Sequence, residues 1–297
     1  MSQQLVNAIA LGSIYTLFSL GLTLSWGILN VLNLAHGAIF TAGTMFAFLL
    51  TEHAAGLPFA VVLVAALVGS ALLAVLMEAV AFAPIRARSA NALDAEMRTL
   101  IASVAVASII VTVVGIQSDH QPYALPQSLL ERHRYDLLGV HVSNVQILVL
   151  VAAIVLSVLL VLFVRRSRYG RAMRAVAFDR TAAGMVGISA RTLQLAAMAL
   201  SGALAGVAGV LLAVYLGAAD AHMGDSFLLK AFAIIILAGV GSLEGAVFFA
   251  YALALVETLV GYYLGGDVRD ALAFVLIVVI LVLRPQGLAA RQGWQRA

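Results

Sequence analysis

Long apolar runs separated by short polar stretches dominate the chain. Seven approach the roughly 20 residues an α-helix needs to cross about 30 Å of hydrocarbon. They are Leu5–Trp26, Phe59–Ala83, Thr99–Ile116, Val145–Val164, Thr192–Leu216, Ala246–Leu264 and Val268–Leu283. Two shorter runs, Gly37–Leu50 and Phe227–Val240, bring the expected number of membrane segments to about nine. A membrane β-barrel would alternate polar and apolar residues in roughly ten-residue segments, and these runs do not. The pattern therefore predicts an all-α polytopic membrane protein, residues 1–297 forming one domain of about 8–9 transmembrane helices, two of them short or broken.

Polar residues interrupt this pattern at one conspicuous place. "NVLNLAHGAIF", residues 30–40, sets Asn30, Asn33, His36 and Gly37 between two apolar runs. Non-helical backbone persists at membrane depth only against protein or water, so this stretch predicts a break between a full helix and a short one. The second short run ends at another glycine-rich stretch, "AGVGSLEGAVF", holding Gly241 and Glu244. Paired short or glycine-interrupted segments point to a transporter's midplane site. The match of "HGAIF" to "EGAVF" leaves two readings open, an inverted repeat or two unrelated glycine turns. In this comparison the short helix follows the break in one half and precedes it in the other. Asn33 and His36 read either as helix–helix polar contacts, worth about 0.6 kcal/mol on average in membranes, or as groups lining or gating a path.

Charge adds orientation. Residues 165–191 carry seven arginines (Arg165, Arg166, Arg168, Arg171, Arg174, Arg180, Arg191) against Asp179. Three more follow Ala83 (Arg86, Arg88, Arg98) and three lie in the tail (Arg284, Arg291, Arg296), so these places hold thirteen of the 17 basic residues. Short cytoplasmic loops collect Arg and Lys, so all three are expected inside, with residues 117–144, the segment around Asp220 and Asp225, and the N-terminus outside. Within the large loop, Met173, Val176, Ala177, Met185, Val186 and Ile188 form an apolar stripe on a helix, and Thr181 opens a second short one. A basic amphipathic helix of this kind lies on anionic lipid or docks a cytoplasmic protein.

Composition agrees about the solvent: 63% of residues are apolar, 10% are charged, and mean hydropathy is +1.07, against about half and a quarter for soluble domains. The absence of cysteine removes disulfides, thiolate metal sites and thiol chemistry. "MSQQLVNAIA" lacks the basic start and cleavage site of a secretory signal, so the first helix is expected to stay. The sequence pI near 9.4 is accounted for by orienting loops, without nucleic acid. No metal site is expected, because His53, His120, His133, His141 and His222 fall in outer loops or near helix ends. Among intramembrane charges, Glu78 is expected to pair with Arg86 and Lys230 to snorkel outward. Glu257 is mid-helix, where charges face the bundle or a cavity. Gly202, Gly206 and Gly209 in "SGALAGVAG" read as close helix packing.

Four segments in this order, "NAIALGSIYTLFSLGLTLSWGILNVLNLAHGAIF", "RYGRAMRAVAFDRTAAGMVGI", "LLKAFAIIILAGVGSLEGA" and "RDALAFVLIVVILVLRPQGL", resemble the inner-membrane permeases of bacterial ABC importers for branched-chain amino acids. The resemblance covers nearly the whole chain. It implies that 165–191 is the cytoplasmic coupling loop seated on an ATPase, with Gly170, Arg171, Arg174, Asp179 and Gly187 as its matching residues. It also implies a second permease subunit, cytoplasmic ATP-binding subunits and an extracytoplasmic solute-binding protein, in a bacterial inner membrane with the C-terminus inside. Two residues depart from the family pattern: Glu244 stands where a turn proline is usual, and Phe178 where an acid often precedes the aspartate. The chain has no G-x-x-x-x-G-K-[ST] loop, so ATP is expected on partners, with no cofactor and no catalytic residue here. The expected path residues are Asn33, His36, Gly37, Gly241, Glu244 and Glu257. The rival reading is an ion-coupled carrier or channel using His36, Glu257 and Lys230. An intramembrane enzyme would need a nucleophile–base pair or metal ligands at one depth, which the sequence does not offer. Within the family reading, urea or short amides compete with amino acids as substrate.

Overall fold

The computed structural model describes residues 1–29, 32–54, 56–137, 140–265 and 275. Its elements are α1 (Ser2–Leu29), α2 (His36–His53), α3 (Phe59–Met77), α4 (Ala83–Ala87), α5 (Ala92–Gln117), β1 (Arg134–Leu137), β2 (Val140–Ser143), α6 (Asn144–Arg166), α7 (Arg168–Phe178), α8 (Arg180–Met185), α9 (Ala190–Leu216), α10 (Met223–Ala238) and α11 (Leu243–Leu264). A π-helical turn, Glu78–Phe82, joins α3 to α4. The all-α polytopic architecture expected from the apolar runs is present. Among the described residues, six helices are long and apolar enough to span a membrane. The hairpin β1–β2 was not expected; Tyr135 faces Val142 across it. The run Val268–Leu283 apart from Val275, the tail arginines and Asn30 lie outside the described residues.

Helix starts follow local hydrogen-bonding chemistry. Asn91 accepts from the Asp94 amide, Ser143 and Gln146 form a capping box, and Ser167, Ser189 and Ser242 cap α7, α9 and α11. Such caps occupy amides that a helix cannot bond within itself.

α1 and α9 form the centre. Their apolar windows are 78% and 83% buried, against 22–28% for α3, α5 and α6. The outer helices turn stripes such as Val64, Val68, Leu72 and Leu76 outward, as lipid-facing surfaces do. The helices around α9 approach closely because glycine removes the side chain. A Cβ on Gly206 would meet Ser70, and one on Gly202 would meet Ser70 and Ala74. The packing expected of "SGALAGVAG" is observed.

Cross-contacts fix the direction of each helix. The Gln3 side chain bonds the backbone of His141 in β2, so α1 starts at the hairpin end. At its other end the Ile28 carbonyl accepts from Arg180, beside the arginine-rich loop. α9 runs the opposite way, from α8 to Val214, whose carbonyl accepts from Arg132 near the hairpin.

Candidate transport site at two interrupted helices

After α1 the chain turns back into the bundle and begins α2 in the interior. Asn33 supports this turn: its Oδ1 accepts from the Ala35 amide at 3.1 Å, while its carbonyl accepts from the His36 amide at 3.3 Å. The Leu34 amide donates to Ser103 Oγ on α5 at 3.2 Å. Backbone that helix geometry leaves open is thus paired with side chains, the condition for breaking a helix away from water. His36 is fully buried. Its Nε2 lies 3.0 Å from the Phe18 carbonyl, which can only accept, and Nδ1 lies 3.3 Å from Ser201 Oγ. Nε2–H therefore donates to α1, and Nδ1 accepts from the Ser201 hydroxyl of α9. One imidazole fastens the start of α2 to both central helices.

The second interruption lies at residues 217–222, ahead of α10. Gly217 ends α9 in the left-handed region at φ +83°. Asp220 Oδ1 accepts from the His222 amide at 2.8 Å, the same two-residue reach as Asn33 to Ala35. Gly224 then donates its amide to Thr41 Oγ1 at 3.2 Å, so α10 starts where α2 starts. The first turns touch through Gly37 and Gly224, where a Cβ on either residue would strike the other's carbonyl. One turn on, the rings of Phe40 and Phe227 stack with centroids 5.2 Å apart, and Phe18 packs edge-on against both. From this junction α2 runs to the hairpin end, where Phe48 meets Tyr123. α10 runs to the loop end, where Phe232 meets Trp26.

This geometry corrects the expected pairing of segments. In both halves the short helix follows its break, and the counterpart of residues 33–40 is 220–227 rather than "EGAVF". Asn33 and Asp220 stand four residues before Gly37 and Gly224, and Phe40 and Phe227 three residues after. Gly241, at φ +86°, belongs to the turn between α10 and α11. Beside it Glu244 is half-exposed and paired with Arg165 of α6.

Lys230 does not snorkel outward. It is buried, because α10 starts inside the bundle rather than at its surface, and its Nζ lies 2.5 Å from Glu257. Tyr15 donates to the other carboxylate oxygen at 2.6 Å, so α1, α10 and α11 meet at one charged cluster. Glu257 is 1% exposed. His222 and Asp225, by contrast, pair at 3.1 Å with most of both side chains open, although α10 starts against the interior start of α2. The expected ion pair of Glu78 with Arg86 is present and buried.

The arginine-rich loop folds as α7 and α8. Gly170 lets α7 close on the end of α6, since a Cβ there would strike the Phe163 and Val164 carbonyls. Arg171 and Arg174 turn back onto carbonyls of that same last turn. Asp179, not Thr181, opens the second helix, accepting from the amides of Thr181 and Ala182 at 2.8 and 3.0 Å. Gly187 takes the φ of +81° that lets the chain leave α8. The apolar stripe divides: Met173 and Val176 are buried, while Met185 and Val186 join Tyr169 and Phe178 as exposed apolar residues.

Arg180 was not singled out by the sequence. It reaches inward from α8 to the Ile28 carbonyl at 3.3 Å and to the Gln194 amide oxygen, turned toward it, at 3.0 and 3.2 Å. Burial, and then neighbouring Arg86, pull its guanidinium below the usual arginine range, with Glu78 and Glu96 pulling the other way. Arginine keeps its charge through such shifts.

Two half-helices that enter from opposite ends and meet inside a lipid-facing bundle define a membrane transport protein of the interrupted-helix kind. More particularly, the chain belongs to the family described as the permease component of branched-chain amino acid transport systems, whose model matches residues 4–282. It is 29% identical to the high-affinity branched-chain amino acid transport system permease protein BraD of Pseudomonas aeruginosa, covering 97% of this chain and 95% of that protein. LivH of Escherichia coli is also 29% identical, over 97% and 95%. LivM of the same organism is 34% identical over 48% of this chain and 33% of its own length. No solved structure matches the chain.

Proposed function

We propose that this chain is one of two permease subunits of an ATP-driven importer that passes branched-chain amino acids by alternating access across a bacterial inner membrane. The observation that carries the reading is the junction of α2 and α10. Two half-helices running to opposite ends from one interior contact let either end open while the other stays closed. Asn33, His36 and Gly37 set the gate at the first break. Gly241 belongs to the turn that moves with α10, Glu244 stands beside it in the first turn of α11, and Glu257 faces the path when its contacts with Lys230 and Tyr15 loosen. His222 and Asp225 offer water-facing polar groups beside the junction, where a zwitterion can pass.

Force enters at the loop end. Gly170, Arg171, Arg174, Asp179 and Gly187 shape the loop, and Phe178, Met185 and Val186 give an ATPase subunit an apolar surface to seat on. Arg180 carries displacement of α8 to the last turn of α1, next to the break. Substrate selection falls to an extracytoplasmic solute-binding protein. That division accounts for a junction lined mostly by aromatic and aliphatic side chains. Leucine, isoleucine and valine suit that lining better than urea or short amides.

The rival reading, an ion-coupled carrier, draws on the buried Lys230–Glu257 pair. Reconstitution in liposomes separates the two. The chain with its partner permease, ATPases and binding protein is expected to accumulate radiolabelled leucine only with internal ATP. Accumulation by the isolated chain under an ion gradient would overturn the proposal.

A further inference from the structure

The two breaks share a feature beyond the half-helices that follow them. Each full helix ends in a turn whose carbonyls have no helical partner, and in each an arginine from outside the bundle occupies one of them. Arg180 of α8 donates to Ile28 of α1 at 3.3 Å, and Arg132 of the segment before the hairpin donates to Val214 of α9 at 2.8 Å. Ile28 lies nine residues before Gly37 and Val214 ten before Gly224. A cation at a helix C-terminus also meets the negative end of the helix dipole.

The hairpin-end segment holds its break by the backbone as well. Tyr123 and Ala219 exchange two hydrogen bonds, at 2.9 and 2.8 Å, leaving Ala219 4% exposed in the middle of the break. Burial and then nearby Asp220 push the Tyr123 phenol above its usual range. A cavity of about 640 Å³ opens beside Arg132, lined by Leu125, Leu130, Val214 and Gly217. Arg132 thus bonds the Val214 carbonyl at the edge of an open space rather than inside packed side chains.

We infer that both breaks are held by one device, an arginine lent from a loop to the last turn of the preceding helix, and that Arg132 is the positioning residue of the second. The 118–137 segment then stands to the α9–α10 break as the arginine-rich loop stands to α1–α2. Resting on the transport reading above, it is the element through which a solute-binding protein seated at the hairpin end would act on α10. Arg132 touches no substrate; it sets where α9 ends and where the chain turns inward.

Cysteine labelling tests this directly, because the chain has no cysteine of its own. A219C is introduced into the full chain in membranes, and its reaction with an impermeant maleimide is timed without nucleotide or partners. With Arg132 intact the thiol is expected to react slowly. In R132A it is expected to react about tenfold faster, as loss of a hydrogen bond from a charged donor shifts the opening equilibrium. R132K keeps the charge and one donor for this single bond and is expected to restore most of the protection. Equal rates in R132A and wild type would overturn the inference, and so would equal acceleration by R132A and R132K. If R132A fails to accumulate in membranes, R132Q is compared with R132K in the same way. Repeating the measurement in the complete assembly during ATP turnover tests the transport reading separately. An A219C rate unmoved by turnover would count against that reading while the arginine result stood.

Discussion

The contact between Gly37 and Gly224 yields the sharpest stability prediction. A Cβ on Gly37 would sit 2.7 Å from the Gly224 carbonyl oxygen and 3.1 Å from its carbon, where ordinary contact begins at 3.4 Å. The overlap, about 0.7 Å, is with backbone, which has no rotamer to yield. The half-helices must part, loosening the Phe40–Phe227 stack and the bond from Gly224 to Thr41. Overpacking of this kind costs about 1–3 kcal/mol. Gly224→Ala is expected to cost at least as much as Gly37→Ala, since its Cβ meets the Gly37 carbonyl still more closely and Thr41 Oγ1 at 2.8 Å. Both variants open the same gap, so the double variant should lose less than the sum, with a coupling of about 1 kcal/mol. Gly184→Ala serves as control, because a Cβ there meets nothing within 4 Å. Reversible unfolding in mixed detergent–SDS micelles reads all four variants. Strictly additive losses, or single variants as stable as the control, would refute the proposed crossing.

Two further outcomes follow from exposed side chains. F178D with M185D is expected to abolish pull-down of the ATPase subunits while leaving unfolding midpoints unchanged, since the residues are 79% and 80% exposed; undiminished capture would remove them from the docking surface. Glu244→Ala is expected to change stability by less than about 1 kcal/mol, as exposed ion pairs do, and a larger loss in the micelle titration would contradict the half-exposed pairing with Arg165.

Much of this was legible in the sequence, and the illegible parts share a cause. The break at Asn33–Gly37 stood out because polar side chains interrupt hydrocarbon on both sides. The second short helix of the arginine-rich loop was also expected, although Asp179 opens it two residues before Thr181. The second break escaped because Asp220-Ala-His-Met-Gly224 follows a helix end, where polar residues ordinarily mean a surface loop. Nothing local says that the chain folds back inside, yet the repeat of Asx, glycine and phenylalanine at matching spacing was there to be found. Lys230 was misjudged for the same reason, its depth being set by where α10 begins. Arg180 and Arg132 were hidden differently: in a chain of many arginines, spacing does not say which one reaches into the bundle.

The glycine crossing also bears on how the two halves can move. Interlocked side chains act as teeth, and sliding one helix over another means lifting each tooth from its socket. At the first turns of α2 and α10 the contact is peptide against peptide, and the rings that stack across the seam, Phe40 and Phe227, stand one turn away from that bearing point. In the transport cycle proposed above, the seam serves as a fulcrum, with levers that reach the bundle from its two faces.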